Sequence, residues 1–147
     1  MLRRRTVTAL CAALLLSLAV PGVALAEEPD VISSPTIVSA VVDMKTGIAT
    51  VTISVTCLMD VGYQVRGEGT LSQSYGSGRF AWSYQGGFGG STCQAGDVLT
   101  IRARFPSPLD KFVPGPAEID AWLEAQIVCC HSDDFEDIPT PVMLRPA

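Results

Sequence analysis

The stretch "IATVTISVTC", residues 48–57, decides the fold of this chain. Its residues alternate between an apolar set and a hydroxyl-bearing set, and most of them are β-branched. A period of two with β-branched residues is typical of a strand that buries one face and exposes the other. We therefore predict a strand whose inward face carries Ala49, Val51, Ile53, Val55 and Cys57.

Six further segments have the same character, and turn-forming residues separate them. Strands are predicted at 36–44, 62–74, 79–85, 97–105, 117–130 and 138–146, with the inward face of 117–130 beginning at Ala117 and Ile119. The separators are turns at 45–47 and 75–78, a glycine-rich connection at 86–96 and a proline-rich connection at 106–116. Seven short strands without strand–helix alternation predict an all-β fold, an immunoglobulin-like Greek-key sandwich of about seven strands.

The first 26 residues have the pattern of a cleaved signal peptide. Arg3, Arg4 and Arg5 precede an apolar run, and small residues at 24–26 suit the cleavage position. The run, from Val7 to Val20, is shorter than the roughly 20 residues that span a bilayer. We expect residues 27–35 to be a flexible leader and 36–147 to be the folded domain, secreted to the outside of the cell.

The charge of the mature chain excludes two kinds of partner. Three of the ten cationic residues precede position 27, so seven remain against 15 acidic residues, a net charge of −8. Nucleic-acid affinity depends on cation–phosphate contacts, and binding to an anionic membrane surface depends on basic residues. We therefore expect no nucleic-acid partner and no membrane association after signal cleavage.

Four cysteines remain in the mature chain, and an exported protein uses them as disulfides by default. Cys57, Cys93, Cys129 and Cys130 allow three pairings. One joins 57 to 93 and leaves a vicinal pair at 129–130. The other two join 57 to 129 or to 130; the 57–129 bridge matches the strand count of the antibody fold. The residues alone leave these pairings open.

Several motifs resemble a group of small secreted immunoglobulin-like proteins from high-GC Gram-positive bacteria. They are "ATVTISVTC", the "STC" that ends at Cys93, "KFVPGPAEIDAWLEA" and the closing "VMLRPA". The resemblance implies the sandwich and favours the 57–93 pairing, and it implies no activity or catalytic residue. The group's late cysteine pairs across the acidic loop, where this chain has Phe135 and Glu136, so that second partner is missing here.

The stretch "CCHSDDFED", residues 129–137, is the place to look for a metal or catalytic site. Three consecutive strand residues cannot converge on one zinc ion, because the middle side chain points away. The acidic part lacks the alternating spacing and fixed glycine of a calcium loop, so we predict a solvated acidic turn at 133–137. A Cys–His nucleophile at His131 is disfavoured because an oxidising compartment consumes the thiol. We expect no metal and no cofactor.

Recognition character is concentrated in "YGSGRFAWSYQGGF", residues 75–88. Its aromatic residues include Tyr75, Trp82 and Tyr84, and such side chains stack on sugars or anchor protein partners when exposed. The favoured interpretation is that Phe80, Trp82 and Tyr84 form the core face of one strand. Trp122 lies on the polar face of 117–130, and it is an interface candidate if no loop covers it.

The sequence therefore favours a non-enzymatic secreted β-sandwich that binds a protein or a cell-surface component. The alternative is a carbohydrate-binding module that uses the aromatic residues of 75–88. A small hydrolase or metal-dependent enzyme is the least favoured interpretation, because no catalytic signature is present and the chain has one histidine.

Overall fold

The computed structural model describes residues 30–76, 78–126, 133–138 and 140–147. These residues form eight strands and no helix, so the all-β prediction is confirmed, and no helix among them is long and apolar enough to cross a membrane. The strands are β1 (Thr36–Val42), β2 (Ala49–Thr56), β3 (Val61–Ser74), β4 (Phe80–Cys93), β5 (Val98–Phe105), β6 (Gly115–Gln126), β7 (Asp133–Asp137) and β8 (Val142–Pro146).

The strands join into one curled mixed sheet that forms a half-barrel. Their hydrogen-bonded order is β4-β3-β6-β8-β1-β2-β5, and β7 pairs with β6 outside this path. Strand β8 is antiparallel to β6 and parallel to β1, with Val41 opposite Arg145. Because β8 pairs on both sides, the described residues do not divide into the two separate sheets that the predicted sandwich requires.

The core comes from alternate residues of the strands, as the alternation predicts. Every second residue of β2 from Ala49 is buried, and Cys57 directly after the strand is fully buried. Strand β5 buries Ile101, Ala103 and Phe105, which lie opposite β2 residues of the same face. The buried residues of β6 are Ala117, Ile119, Ala121, Leu123 and Ala125. The predicted continuation of β6 to residue 130 lies outside the described residues.

The segment before β1 is packed on the domain, which corrects the predicted flexible leader for the residues described there. Val31 and Ile32 are buried, and Ile32 forms an isolated bridge with Cys57. The backbone N–H of Ser33 donates to the carbonyl of Thr56 at 2.8 Å. The reason is that β1 pairs with β2 only as far as Ser54, so the backbone of Ile32 and Ser33 pairs with Cys57 and Thr56 beyond that point.

The prediction of a glycine-rich connection at 86–96 is wrong, because β4 continues through most of this segment and ends at Cys93. Its pairing with β3 shifts register at several points, and Gly87, Gly89 and Gly90 all have positive φ. At Gly89, with φ of 104°, a Cβ would lie 2.6 Å from the carbonyl oxygen of Val65. Glycine therefore permits bulges that keep the strand paired, where other residues would end it.

The prediction of a solvated acidic turn at 133–137 is also wrong, because these residues form β7. The strand is antiparallel to β6, with Trp122 opposite Asp137 and Gln126 opposite Asp133. Aspartate has low strand propensity, but backbone pairing with a neighbouring strand overrides that preference. A short strand with several charged side chains also protects the edge of a sheet from pairing with another chain.

Candidate binding surface

Three aromatic side chains of β4 point outward in a row. Phe80, Trp82 and Tyr84 are 41%, 40% and 54% exposed, whereas Ala81 and Ser83 between them are buried. The interpretation that the three aromatic residues form the core face of the strand is therefore wrong. The aromatic residues instead form part of the molecular surface.

The partner strand explains why the small residues of β4 point inward. Leu71 of β3 is fully buried and lies opposite Ser83, and the buried Gln73 lies opposite Ala81. Residues directly opposite on neighbouring strands share a face of the sheet. Since β3 fixes its own inward face with Leu71, the aromatic residues of β4 must take the outward face.

The outward residues of β4, β3 and β6 form one continuous surface, which we call the β4–β3–β6 face. Trp82 lies opposite Ser72 and Tyr84 opposite Thr70. On the other side of β3, Ser72 lies opposite Glu118 and Thr70 opposite Asp120. The face therefore has three columns of side chains. The aromatic column on β4 is Phe80, Trp82 and Tyr84. The hydroxyl column on β3 is Ser72 and Thr70, followed by Glu68, and the acidic column on β6 is Glu118 and Asp120, followed by Trp122.

A hydrogen bond fixes the ring of Tyr84 on this face. Its hydroxyl donates to Oε2 of Glu68 at 3.1 Å. This hydrogen bond, together with the negative charge of Glu68, raises the pKa of Tyr84 above its ordinary value of 10.0. Beside it, the backbone N–H of Trp82 donates to Oγ of Ser107 at 3.2 Å. The backbone of Trp82 and the ring of Tyr84 are therefore both held in place before a ligand binds. This reduces the conformational entropy that the protein would lose on binding.

Trp122 lies on the polar face of β6, as the sequence predicts, and this face is part of the β4–β3–β6 face; the residue is half-buried. It is opposite Glu68 on β3 and opposite Asp137 on β7. Its predicted neighbours Glu118 and Asp120 are exposed, while Glu124 is buried and accepts a hydrogen bond of 2.8 Å from Nε of Arg66. Trp122 therefore lies between the acidic column and this ion pair.

Tyr75, the remaining predicted binding residue, lies apart from the face and is engaged within the chain. Its hydroxyl donates to the backbone carbonyl of Lys111, and its ring lies 5.6 Å from the guanidinium of Arg79. Arg79 in turn forms a 2.8 Å ion pair with Asp110. Burial is the main cause of the raised pKa of Tyr75. Its contacts fasten the turn between β3 and β4 to the segment before β6.

The structure contains the Cys57–Cys93 disulfide, with a Cα–Cα distance of 6.3 Å. The pairing that the resemblance favours is confirmed, and the 57–129 and 57–130 pairings are excluded. Cys129, Cys130 and His131 lie outside the described residues, as do the side chains of most of β7. Among the residues that are described, no group of three or more histidine, cysteine or acidic side chains could hold a metal ion.

An open cleft of about 990 Å³ lies beside this disulfide, lined by residues 58–62, 92–95 and 97. Its carboxylates are engaged in turn structure. Asp60 accepts a hydrogen bond of 2.9 Å from the backbone N–H of Ala95, and Asp97 accepts one of 3.0 Å from that of Gln94. The cleft therefore uses its acidic groups to shape the connection between β4 and β5.

Glu68, Glu118 and Asp120 are carboxylate residues of the face that sequence reasoning did not assign to a site. Their outward direction follows from alternation alone, since Glu68 and Glu118 fall on predicted outward positions of their strands. Their nearness to Trp82 and Tyr84 depends on the register between β3 and its two neighbours. The register between β3 and β6 joins residues about 50 positions apart, and no local pattern encodes it.

The comparisons with known proteins give little. No family model matches the chain, and no curated protein matches it. Among solved structures, the chain is similar to the Pseudomonas fluorescens alkylpurine DNA glycosylase AlkC bound to DNA containing an abasic site analog, with 12% identity and a TM-score of 0.39. The similarity covers 74% of this chain and 30% of the glycosylase chain. A similarity at this level carries no argument about function.

Proposed function

We propose that this chain is a secreted, non-enzymatic binding protein whose β4–β3–β6 face binds a protein or another component of a cell surface. The observation that carries the proposal is the outward row of Phe80, Trp82 and Tyr84. Soluble proteins seldom expose adjacent large aromatic side chains, and where they do, the patch is commonly an interaction site. Tryptophan and tyrosine are also the residues that contribute most to binding energy in interfaces.

The polar groups of the face suit binding rather than a reaction. They are carboxylates and hydroxyls, which accept and donate hydrogen bonds around the aromatic column. None of the described residues of the face is a histidine or a cysteine, so the face offers no nucleophile activated by an adjacent base of that kind. We therefore assign it recognition without a chemical step.

The test is binding of the fluorescently labelled domain to intact cells of a high-GC Gram-positive bacterium. We expect saturable binding that falls at least about tenfold for the double variant Trp82→Ala/Tyr84→Ala, since buried aromatic anchors contribute about 2 kcal/mol or more each. The matched control is Val98→Ala on β5, which is 64% exposed and lies outside the face. Equal binding by the double variant and the wild type would refute the proposal.

A second candidate function is a carbohydrate-binding module that uses the aromatic residues of 75–88. The exposure of Trp82 and Tyr84 beside the carboxylate of Glu68 favours it, because flat rings flanked by hydrogen-bonding groups suit sugar rings. A glycan array separates the two candidates. A reproducible glycan signal that Trp82→Ala abolishes would support the module, and protease treatment of the cells would then leave the binding intact.

A further inference from the structure

The strands that build the β4–β3–β6 face have an uneven charge distribution. Together with β7, they contain eight acidic residues and a single cationic one, Arg66. The guanidinium of Arg66 already lies 2.8 Å from the carboxylate of Glu124. The eight acidic residues are Glu68, Glu118, Asp120, Glu124, Asp133, Asp134, Glu136 and Asp137.

The exposed carboxylates of the face, Glu118 and Asp120, lie opposite Ser72 and Thr70, whereas Arg66, the cation of these three strands, lies beside Glu124. Glu118 and Asp120 are exposed. Across the sheet, Glu118 is in line with Trp82 and Asp120 is in line with Tyr84, with β3 between them in both cases. Neighbouring strands are about 4.8 Å apart, so the acidic and aromatic columns are separated by about 10 Å. A cationic ligand would relieve the repulsion among these carboxylates, whereas an anionic ligand would increase it.

The aromatic column provides the second attraction for a cation. The faces of tryptophan and tyrosine rings attract lysine and arginine side chains, and the attraction is strongest for tryptophan. Arg79 shows this contact within the chain, since its guanidinium lies 5.6 Å from the ring centre of Tyr75. Trp82 and Tyr84 offer exposed rings of the same kind beside the carboxylates.

The spacing of the two columns selects an extended ligand. Alternate residues of a strand lie about 7 Å apart, which is the separation along β4 between Trp82 and Tyr84 and along β6 between Glu118 and Asp120. Alternate side chains of an extended peptide repeat at the same distance. A segment with a basic residue at every second position therefore matches both columns at once.

We propose that the β4–β3–β6 face binds an extended, lysine- or arginine-rich segment of a partner protein. The basic side chains lie between the aromatic column and the acidic column, and the hydroxyl groups of Thr70 and Ser72 line the space beneath them. This inference rests on the proposed binding function and specifies the chemistry of the partner.

A second copy of the chain is a less suitable occupant. Its exposed cations on β5, Arg102 and Arg104, lie on a strand that is not part of the β4–β3–β6 face. Contact between the acidic face of one copy and these arginines of another would join two different surfaces. Such head-to-tail contacts form open chains unless the rotation closes a ring, so they favour polymerisation over a defined complex.

The experiment is isothermal titration of the mature domain with a capped ten-residue peptide in which serine and lysine alternate. The control peptide carries Nε-acetyl-lysine at the same positions, which removes the charge and keeps the length. We expect the lysine peptide to bind, the acetylated peptide to bind at least about tenfold more weakly, and the affinity to fall as salt shortens the screening length from about 10 Å at 0.1 M to about 3 Å at 1 M.

Two pairs of variants locate the binding on the face. Trp82→Ala should weaken binding by about 3- to 30-fold, the range of a cation–aromatic contact, whereas Met143→Ala, an exposed position on β8, should leave it unchanged. Asp120→Asn should weaken it by about 2- to 5-fold, as an exposed charge pair does. Asp30→Asn makes the same chemical change at an exposed position outside the face and should have no effect.

The outcomes separate this inference from the proposed function. Equal binding of the lysine and acetylated peptides, or binding that Asp120→Asn and Trp82→Ala leave unchanged, would overturn the basic partner. The cell-binding result would still support the proposed function if Trp82→Ala/Tyr84→Ala abolished it. Sedimentation of the domain alone gives the remaining outcome: self-association that both Asp120→Asn and Arg102→Gln abolish would overturn the inference in favour of a second copy.

Discussion

At the scale of single residues, Gly69 determines how closely β3 approaches β6 beneath the binding face. A Cβ at this position would clash with Cβ of Ala121, and it would lie 2.7 Å from Cα of Ala121 and 2.8 Å from the carbonyl oxygen of Asp120. Real Cβ atoms do not come this close to backbone atoms, so the two strands would have to separate. The neighbouring rows, which carry Thr70 and Asp120, would move with them.

We therefore predict that Gly69→Ala lowers the free energy of unfolding by about 1–3 kcal/mol, the usual cost of overpacking. Gly76→Ala is the matched control, because a Cβ at Gly76 meets nothing within 4 Å. Urea denaturation of both variants measures the difference. Equal stability of the two variants would show that β3 and β6 are not packed as closely as described.

The hydrogen bond between Tyr84 and Glu68 gives a prediction about pH. The bond favours the protonated phenol, so the pKa of Tyr84 is raised in the folded state. Its contribution to stability is therefore fully present below the unfolded value of about 10 and is lost as the pH rises through the folded pKa. In an NMR titration, Glu68→Gln should lower the pKa of Tyr84 towards 10.

Tyr75 is the internal control for this titration. Its pKa is raised mainly by burial, so Glu68→Gln should leave it where it is. A Tyr84 midpoint that does not respond to Glu68→Gln would contradict the hydrogen bond that orients the ring on the face.

The residue scale is also where sequence reasoning about the site was weakest. The alternation of Phe80, Trp82 and Tyr84 correctly places the three rings on one face of a strand. Hydrophobicity then favours the inside, but the inside position of β4 is decided by its pairing with Leu71 and Gln73 of β3. A pattern within one strand does not contain that information, since a shift of one residue in register exchanges the two faces.

At the scale of elements, the Cys57–Cys93 disulfide joins the end of β2 to the end of β4, across 36 residues. Strands β2 and β4 lie far apart in the hydrogen-bonded order of the sheet, so the bridge ties its two halves together. In the chain-entropy model, a loop of this length stabilises the folded state by about 3–4 kcal/mol.

We predict that Cys57→Ala/Cys93→Ala loses about this amount in the free energy of unfolding, measured by denaturation under non-reducing conditions. The control is Cys129→Ala/Cys130→Ala, which retains the bridge and should retain the stability that depends on it. A Cys57→Ala/Cys93→Ala variant as stable as the wild type would mean that the bridge does not constrain the unfolded chain.

The sequence was a good guide to elements with regular alternation and a poor guide elsewhere. Strands β2, β5 and β6 and their inward faces follow from alternation of apolar and polar residues. The second half of β4 and all of β7 were missed because glycine and aspartate have low strand propensity. Both segments are strands here because a paired neighbour satisfies their backbone groups, which is a tertiary effect.

At the scale of the whole molecule, the strand order groups the charges by strand. The acidic and aromatic columns lie on β6 and β4, while Arg102 and Arg104 are exposed on β5, whose end approaches β4 where the backbone N–H of Trp82 donates to Oγ of Ser107. The composition predicts a net negative mature chain, but the grouping of acidic and aromatic side chains on one face requires the strand order. That order depends on β8, which pairs with both β6 and β1, and the sequence pattern predicted two sheets instead.

Mapping where a ligand contacts the domain shows whether the β4–β3–β6 face is the binding surface. We would titrate the isotope-labelled mature domain with the alternating serine–lysine peptide and follow its amide NMR spectrum. If the β4–β3–β6 face binds the peptide, the largest shifts lie in residues 68–72, 80–84 and 118–122, and Trp82→Ala suppresses them. Shifts concentrated in the disulfide cleft at 58–62, 92–95 and 97 would contradict this binding mode.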